Sequence, residues 1–77
     1  MKSVKFHDHE IEYSSEAVHG WSVQRRIARG GSDAFDAIDV ILGGKADEVA
    51  DMIGGSVEVM GELVTAIAEA EGADAKN

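Results

Sequence analysis

Polar and apolar residues alternate at the start of the chain, whereas later segments repeat apolar residues at helical intervals. Alternation is typical of half-buried β-strands. We therefore predict a β-hairpin over residues 2–13, with a polar turn at residues 7–10. Because a two-stranded hairpin is not stable alone, its apolar side is expected to face a layer of helices. That side is formed by Val4, Phe6, Ile11 and Tyr13.

Serines and glycine pairs divide the rest of the chain into helical segments. The first helix is predicted from Ser14 to the pair at residues 30–31. Because Gly20 weakens its interior, a start at His19 or Gly20 is the alternative. A central helix follows, with Ser32 as its N-cap and Gly43 as the left-handed residue that ends it.

Two further helices complete the pattern. The shorter one covers residues 45–53, and its inward positions are expected to be Ala46, Val49, Met52 and Ile53. The last helix begins after Ser56 and runs to about Ala70 or Glu71. Residues 73–77 are predicted to be a frayed polar tail.

The last helix carries two adjacent apolar stripes, which together cover about half of its circumference, more than docking on one core requires. The first stripe consists of Val57, Met60, Val64 and Ile67. The second stripe, which we predict to contact a client protein or another copy of the chain, consists of Val59, Leu63, Ala66 and Ala70. The two assignments are interchangeable on the sequence alone, and internal burial of both stripes is the alternative.

These segments predict an α+β, mainly α fold, in which an N-terminal hairpin packs on about four short helices. Residues 1–72 form a single small domain, since 77 residues allow no more than one. The predicted core side chains outside the hairpin are Trp21, Phe35, Ile38, Ile41, Val64 and Ile67.

The net charge of −8 is concentrated in the second part of the chain. Residues 1–31 carry five Lys or Arg against four Asp or Glu, a balance of +1, and residues 32–77 carry two against eleven, a balance of −9. Such acidity argues against nucleic-acid binding through phosphates. The chain has no cysteine and no signal-peptide or membrane-spanning pattern. We therefore expect a soluble intracellular protein that gains stability from a partner or from self-association.

Candidate chemistry is sparse. His7 and His9 share a face of the hairpin and His19 is the remaining histidine, but a solvated pair is a better interpretation than a metal site. Catalytic, cofactor and metal sites are all predicted to be absent. The aspartates at positions 33, 36 and 39 lack the pattern of a calcium loop and are expected to form a solvated helix face. If they bind a basic protein instead, the chain is a small acidic inhibitor.

Gly30–Phe35 is similar to the prosthetic-group site of small acidic carrier proteins. That site places the modified serine directly after an aspartate, whereas Ser32 precedes Asp33 here. Capping by Ser32 is therefore preferred over modification by phosphopantetheine, which stays as an alternative.

The order of elements resembles the tail assembly chaperones of long-tailed (siphovirus-type) bacteriophages and prophages. The resemblance covers roughly residues 3–72. Its residues are Ile11-Glu12-Tyr13, Gly20-Trp21, Ile27-Ala28-Arg29-Gly30, Ala37 through Gly43, Val57 through Val64, Ile67 and Glu71-Gly72.

This resemblance implies a non-enzymatic assembly factor in the cytoplasm of a host bacterium, with no cofactor and no membrane partner. The implied partners are the tape measure protein, which such chaperones coat, and the tail-tube protein, whose polymerisation they assist. Many members are also made in a longer form by ribosomal frameshifting. A wide apolar surface on an acidic chain fits this role, because weak contacts by many copies suit a factor that must later be displaced.

Overall fold

The computed structural model describes residues 2–75 and begins with an antiparallel β-hairpin. Strands β1 (Lys2–Phe6) and β2 (His9–Tyr13) pair in a register that places Val4 opposite Ile11. His7 and Asp8 connect them with φ angles of 48° and 65°, as in the two-residue turns that match the twist of a hairpin. The predicted hairpin is confirmed, with a turn shorter than expected.

Five helices follow the hairpin within the described residues, and the predicted fold class is confirmed. The first predicted helix is divided in two, since the chain leaves helical geometry at His19 and Gly20. The helices are α1 (Ser15–Val18), α2 (Trp21–Arg29), α3 (Gly31–Ile41), α4 (Ala46–Met52) and α5 (Val57–Ala75).

The core lies between the hairpin and the helices, and every element except β1 places at least one buried residue in it. Val4 and Phe6 of β1 are half-buried against this cluster, as the alternation predicted. Ile41 and Ile67 are buried as expected, whereas Ile38 and Val64 are only half-buried. The largest fully buried side chains are Tyr13, Ile11, Leu42, Leu63 and Ile67.

The prediction that Trp21 is a core residue is wrong, because 78% of its surface is exposed. One continuous helix would have aligned Trp21 with Ala17, but the interruption at Gly20 changes the phase of the following turns. The buried side of α2 is instead formed by Val23 and Ile27. Trp21 lies two residues before Val23, and a two-residue step turns about 200° around a helix.

Phe35 was also assigned wrongly to the core, since 57% of its surface is exposed. Ala37 and Ile41, one helical turn apart, form the buried side of α3, and Ala37 is fully inaccessible. A small side chain at this position lets α3 lie close to the neighbouring helices α1 and α2. Phe35 precedes Ala37 by two residues and so points away from the core.

Serine side chains cap two of the three helices that the sequence predicted to begin at a serine. The Ser14 Oγ accepts a hydrogen bond from the N–H of Ala17 at 3.2 Å, and the Ser56 Oγ accepts one from the N–H of Val59 at 3.1 Å. Ser32 is not an N-cap, because α3 already begins at Gly31 and its N-cap is Gly30, with φ of 73°. Glycine readily adopts a positive φ. With Gly30 as the N-cap, the helix begins earlier than a cap at Ser32 would predict.

The later helices deviate from the prediction at two places. Met52 of α4 is exposed rather than inward. Helix α5 continues to Ala75, past the predicted end at Ala70 or Glu71, because Glu71 is held in the interior as described below. Of the predicted frayed tail, residues 73–75 therefore belong to α5, and residues 76–77 lie outside the described part.

Candidate protein-binding surface

The predicted client-binding stripe of α5 does not form an open surface. Leu63 is fully buried, and the other three members, Val59, Ala66 and Ala70, are half-buried. The reason is that the inward side of α5 follows the boundary between the two predicted stripes. Leu63 belongs to one stripe and Ile67 to the other, yet residues four apart lie on one side of a helix. Leu63 is thus a core residue.

An exposed apolar groove lies elsewhere, between α3, α4 and α5. Its volume is about 630 Å³. Phe35 and Val57, which are 57% and 68% exposed, are its most accessible apolar side chains. We call it the aspartate-rimmed groove, and its lining residues are Phe35, Asp36, Ile38, Asp39, Gly44, Ala46, Asp47, Ala50, Gly55, Ser56, Val57, Met60 and Gly61.

Glycine pairs between the helices position the three walls of this groove. Gly43 and Gly44 have φ of 67° and 82°, and Gly54 and Gly55 have φ of 112° and 75°. These values lie in the left-handed region that favours glycine. They let the chain change direction on both sides of α4, and residues of α3, α4 and α5 all line the groove.

Three aspartates give the groove a negative electrostatic potential. Asp36 and Asp39 come from α3 and Asp47 comes from α4, and among residues 2–75 no Lys or Arg lines the groove. Asp39 also has a local role, because its Oδ1 accepts a hydrogen bond from the N–H of Ala46 at 3.2 Å. This contact satisfies a backbone donor of the first turn of α4.

The third aspartate of the predicted acidic helix face lies apart from the groove. Asp33 forms an ion pair with Arg29 at 3.6 Å. Both side chains are largely exposed, and such pairs contribute only about 0–1 kcal/mol. Ser32, the alternative modification site, is exposed on the first turn of α3.

A buried carboxylate, Glu71, joins the end of α5 to the beginning of the chain. It is 2% exposed. The Tyr13 hydroxyl donates to its Oε2 at 2.6 Å, and the Ser15 hydroxyl donates to its Oε1 at 2.5 Å. Lys2 Nζ lies 3.3 Å from Oε2, and His19 Nε2 lies 3.1 Å from Oε1. We call these five residues the Glu71 cluster.

Hydrogen bonds from Ser15 and Tyr13 lower the pKa of Glu71 from 4.5 to about 2, with smaller contributions from Lys2 and His19. Burial of the carboxylate acts in the opposite direction and is outweighed. The carboxylate is therefore ionised at neutral pH and serves as an acceptor for groups on β1, β2 and α1.

The Glu71 cluster contains serine, histidine and carboxylate side chains, but its geometry does not activate a nucleophile. The hydroxyl of Ser15 donates its single proton to Glu71 Oε1, and His19 contacts the same oxygen. In a catalytic triad the serine must donate to the imidazole, and the carboxylate must bind the far side of that ring. The cluster is a structural contact between distant parts of the chain.

Acid should weaken this contact in a defined pH range. Because the pKa of Glu71 in the folded state, about 2, is below its ordinary value of 4.5, the ionised carboxylate stabilises the fold above about pH 4.5. This contribution is lost as the pH falls from there towards 2. Urea unfolding of the native chain and of Glu71→Gln should give midpoints whose difference shrinks over that range. A difference that does not change with pH would contradict this account, and Glu69→Gln serves as the exposed control.

The histidines considered as metal ligands lie in different surroundings. His7 stacks on Phe6, with ring centroids 4.2 Å apart, and His19 belongs to the Glu71 cluster. Over the described part of the chain, no group of three or more His, Cys, Asp or Glu residues is placed to hold a metal ion.

Neither the groove nor the Glu71 cluster was predicted from the sequence, although the sequence contains an indication of each. Phe35 lies close to two aspartates on the acidic side of α3, where a buried aromatic residue is not expected. Glu71 continues the inward line of Leu63 and Ile67 at steps of four residues. A carboxylate on such a line needs buried hydrogen-bond donors.

The described helices include none long and apolar enough to cross a membrane. Comparison with known proteins gives no match to a family model, to a curated protein or to a solved structure.

Proposed function

We propose that this chain is a tail assembly chaperone of a long-tailed bacteriophage or prophage, acting in the cytoplasm of the host bacterium. It would bind the tape measure protein and assist the assembly of the tail tube around it, without catalysing a reaction. The observation that supports this proposal best is the aspartate-rimmed groove, an exposed apolar surface on a chain of only 77 residues. The resemblance of residues 3–72 to this family supports it independently.

The physical properties of the chain suit temporary protection of an aggregation-prone client. Exposed apolar side chains such as Phe35 and Val57 can cover apolar positions of a long client helix. The net charge of −8 keeps a client coated by several copies in solution, since like-charged complexes repel one another. Each copy contributes a small contact, so the coat can be displaced stepwise as the tube grows.

Co-expression tests this proposal. The client to test is the protein encoded by a very long, helix-rich reading frame downstream of this gene. This long protein is expressed once together with the chain and once without it. We expect the long protein to be soluble only in the presence of the chain and to co-elute with it in size-exclusion chromatography. An unrelated acidic protein of similar size is the control. Equal solubility without the chain, together with separate elution, would contradict the proposal.

An alternative function rests on the exposed position of Ser32 on the first turn of α3. A carrier protein presents its modified serine at the start of a helix, so this position is accessible to a transferase. Incubation with coenzyme A and a phosphopantetheinyl transferase, followed by intact-mass measurement, distinguishes the two functions. We expect the mass to stay unchanged. A mass increase that is lost in Ser32→Ala would favour the carrier function.

A small acidic inhibitor of a basic protein is the other alternative, and it draws on Asp36 and Asp39 in the groove and on Asp33 outside it. Binding through exposed charges alone is screened by salt, whereas apolar contacts are not. Complexes with the client that dissociate completely at high ionic strength would favour the inhibitor function over the chaperone function.

A further inference from the structure

We propose that the aspartate-rimmed groove binds one amphipathic helix of a partner protein, whose apolar side is flanked by Lys and Arg. This inference rests on the proposed function for the identity of the partner, the tape measure protein. The chemistry of the bound helix follows from the groove itself. Four features of the described residues support this inference: exposed apolar walls, a glycine within one wall, an acidic border and helical walls throughout.

The apolar walls define the buried part of the contact. Phe35 of α3 and Val57 of α5 line the groove. More than half of the surface of each residue is accessible to solvent. The half-buried side chains of Ile38 and Met60 also line the groove. A partner that covers Phe35 and Val57 removes apolar surface from water, which favours association.

Gly61 lines the groove from the second turn of α5. Glycine in the interior of a helix is destabilising relative to alanine. No contact inside the described chain requires it here, since a Cβ at position 61 would meet no atom within 4 Å. Gly61 lies one helical turn from Val57, on the same side of α5. We infer that the backbone of the bound helix approaches α5 at Gly61.

The border of the groove selects the charge of the partner. Asp36, Asp39 and Asp47 line it, and no basic side chain from the described part of the chain does. Lys and Arg beside the apolar side of a bound helix would lie near these carboxylates, whereas Glu and Asp would be repelled. The contribution is expected to be salt-dependent, because the Debye length falls from about 10 Å at 0.1 M salt to about 3 Å at 1 M.

The secondary structure of the walls favours a helix over an extended peptide. A bound strand needs an open sheet edge to satisfy its backbone N–H and C=O groups. The walls are helices and the turns between them, and backbone groups within helices are already hydrogen-bonded. A partner that brings its own backbone bonds, as a helix does, leaves no buried group unsatisfied. Since the longest dimension of the molecule is 31 Å, the bound helix spans no more than about 20 residues at 1.5 Å each.

The test uses a fluorescent synthetic peptide of about 20 residues, with leucines on one side of a helix and lysines beside them. Matched peptides replace every lysine with glutamate or scramble the leucine positions. Fluorescence anisotropy with the full chain should detect binding of the lysine peptide alone. Binding should weaken at high ionic strength without being abolished.

Variants of the full chain locate the contact. Phe35→Ala should raise the Kd by about tenfold or more, as expected for an aromatic residue central to an interface. Trp21→Ala is the matched control, since Trp21 is exposed but does not line the groove. Asp36→Asn combined with Asp47→Asn should reduce the salt dependence. Asp39 is kept, because it bonds the first turn of α4.

Gly61 provides a test with opposite effects on folding and binding. Gly61→Ala should raise the thermal midpoint of the chain and weaken peptide binding, and Gly61→Leu should weaken binding further. Gly72→Ala is the control in the same helix. A Cβ at position 72 also meets no atom within 4 Å, and Gly72 does not line the groove, so binding should stay unchanged.

The outcomes separate this inference from the proposed function. Equal binding of the lysine and glutamate peptides, or equal losses in the Phe35 and Trp21 variants, would overturn the helix-binding groove. So would concentration-dependent dimerisation that Phe35→Ala abolishes, because a second copy would then be the occupant. If the peptide results hold but the tape measure protein does not co-elute, the groove stands and the proposed function fails.

Discussion

Replacing Leu63 with aspartate should unfold the protein, with loss of its helical circular dichroism. Leu63 is fully buried among the core residues. Removing a buried leucine side chain costs about 2–5 kcal/mol, and an unpaired carboxylate in its place adds a further penalty. The whole stability of a domain this small is only about 4–12 kcal/mol, so the substitution removes most or all of it.

Val57→Asp is the matched control for this experiment. It places the same charge in the same helix, at a residue that is mostly exposed. A negative charge in the first turn of α5 is also favourable to the helix dipole. This variant should keep its circular dichroism and its cooperative thermal transition. If Leu63→Asp were equally well folded, Leu63 would be a surface residue after all, and the original prediction for its stripe would be restored.

Replacing Glu71 with alanine should cause the largest loss of stability among substitutions of single charged residues. Tyr13 and Ser15 each lose their hydrogen bond to this carboxylate, and Lys2 and His19 lose their contacts with it. Removing one partner of a buried hydrogen bond costs more than the bond itself provides, because the buried group that remains, here the Tyr13 hydroxyl, has already lost its water. We expect a lower thermal midpoint and faster hydrogen exchange in the last turns of α5.

Two neighbouring variants show which property of Glu71 matters. Glu71→Gln keeps the size of the side chain and an acceptor oxygen but removes the charge, so its midpoint should lie between those of the native chain and Glu71→Ala. Glu69→Ala removes an exposed carboxylate from the same helix and should behave like the native chain. An equal effect of the substitutions at positions 69 and 71 would show that the net charge, rather than the cluster, determines stability.

The local features of the fold were predictable because they depend on neighbouring residues. Alternation in residues 2–13 gave the hairpin, the hydroxyls of Ser14 and Ser56 marked helix starts, and Gly43 takes the left-handed conformation expected of it. Each of these features depends only on residues that are close to one another in sequence. The fold class followed from these signals, since such elements must cover one another to bury their apolar sides.

The surface was harder to predict, because it depends on helix phase and on contacts between distant residues. A short interruption at Gly20 was enough to turn Trp21 outward. On α3, Ala37 is buried and the larger Phe35 is exposed. Hydrophobicity and size alone would favour phenylalanine as the buried residue, but close packing of helices favours a small one. The acceptor role of Glu71 depends on residues more than fifty positions away, so neither periodicity nor propensity could assign it.

The long separation between Glu71 and its donors has a consequence for the order of events during translation. Tyr13 and Ser15 leave the ribosome early, but their shared acceptor lies 58 and 56 residues later. The hairpin and α1 must therefore wait until Glu71 has been synthesised before this contact can form. Contacts so distant in sequence are slow to form during folding. The hairpin of the nascent chain consequently stays without this anchor until α5 has emerged.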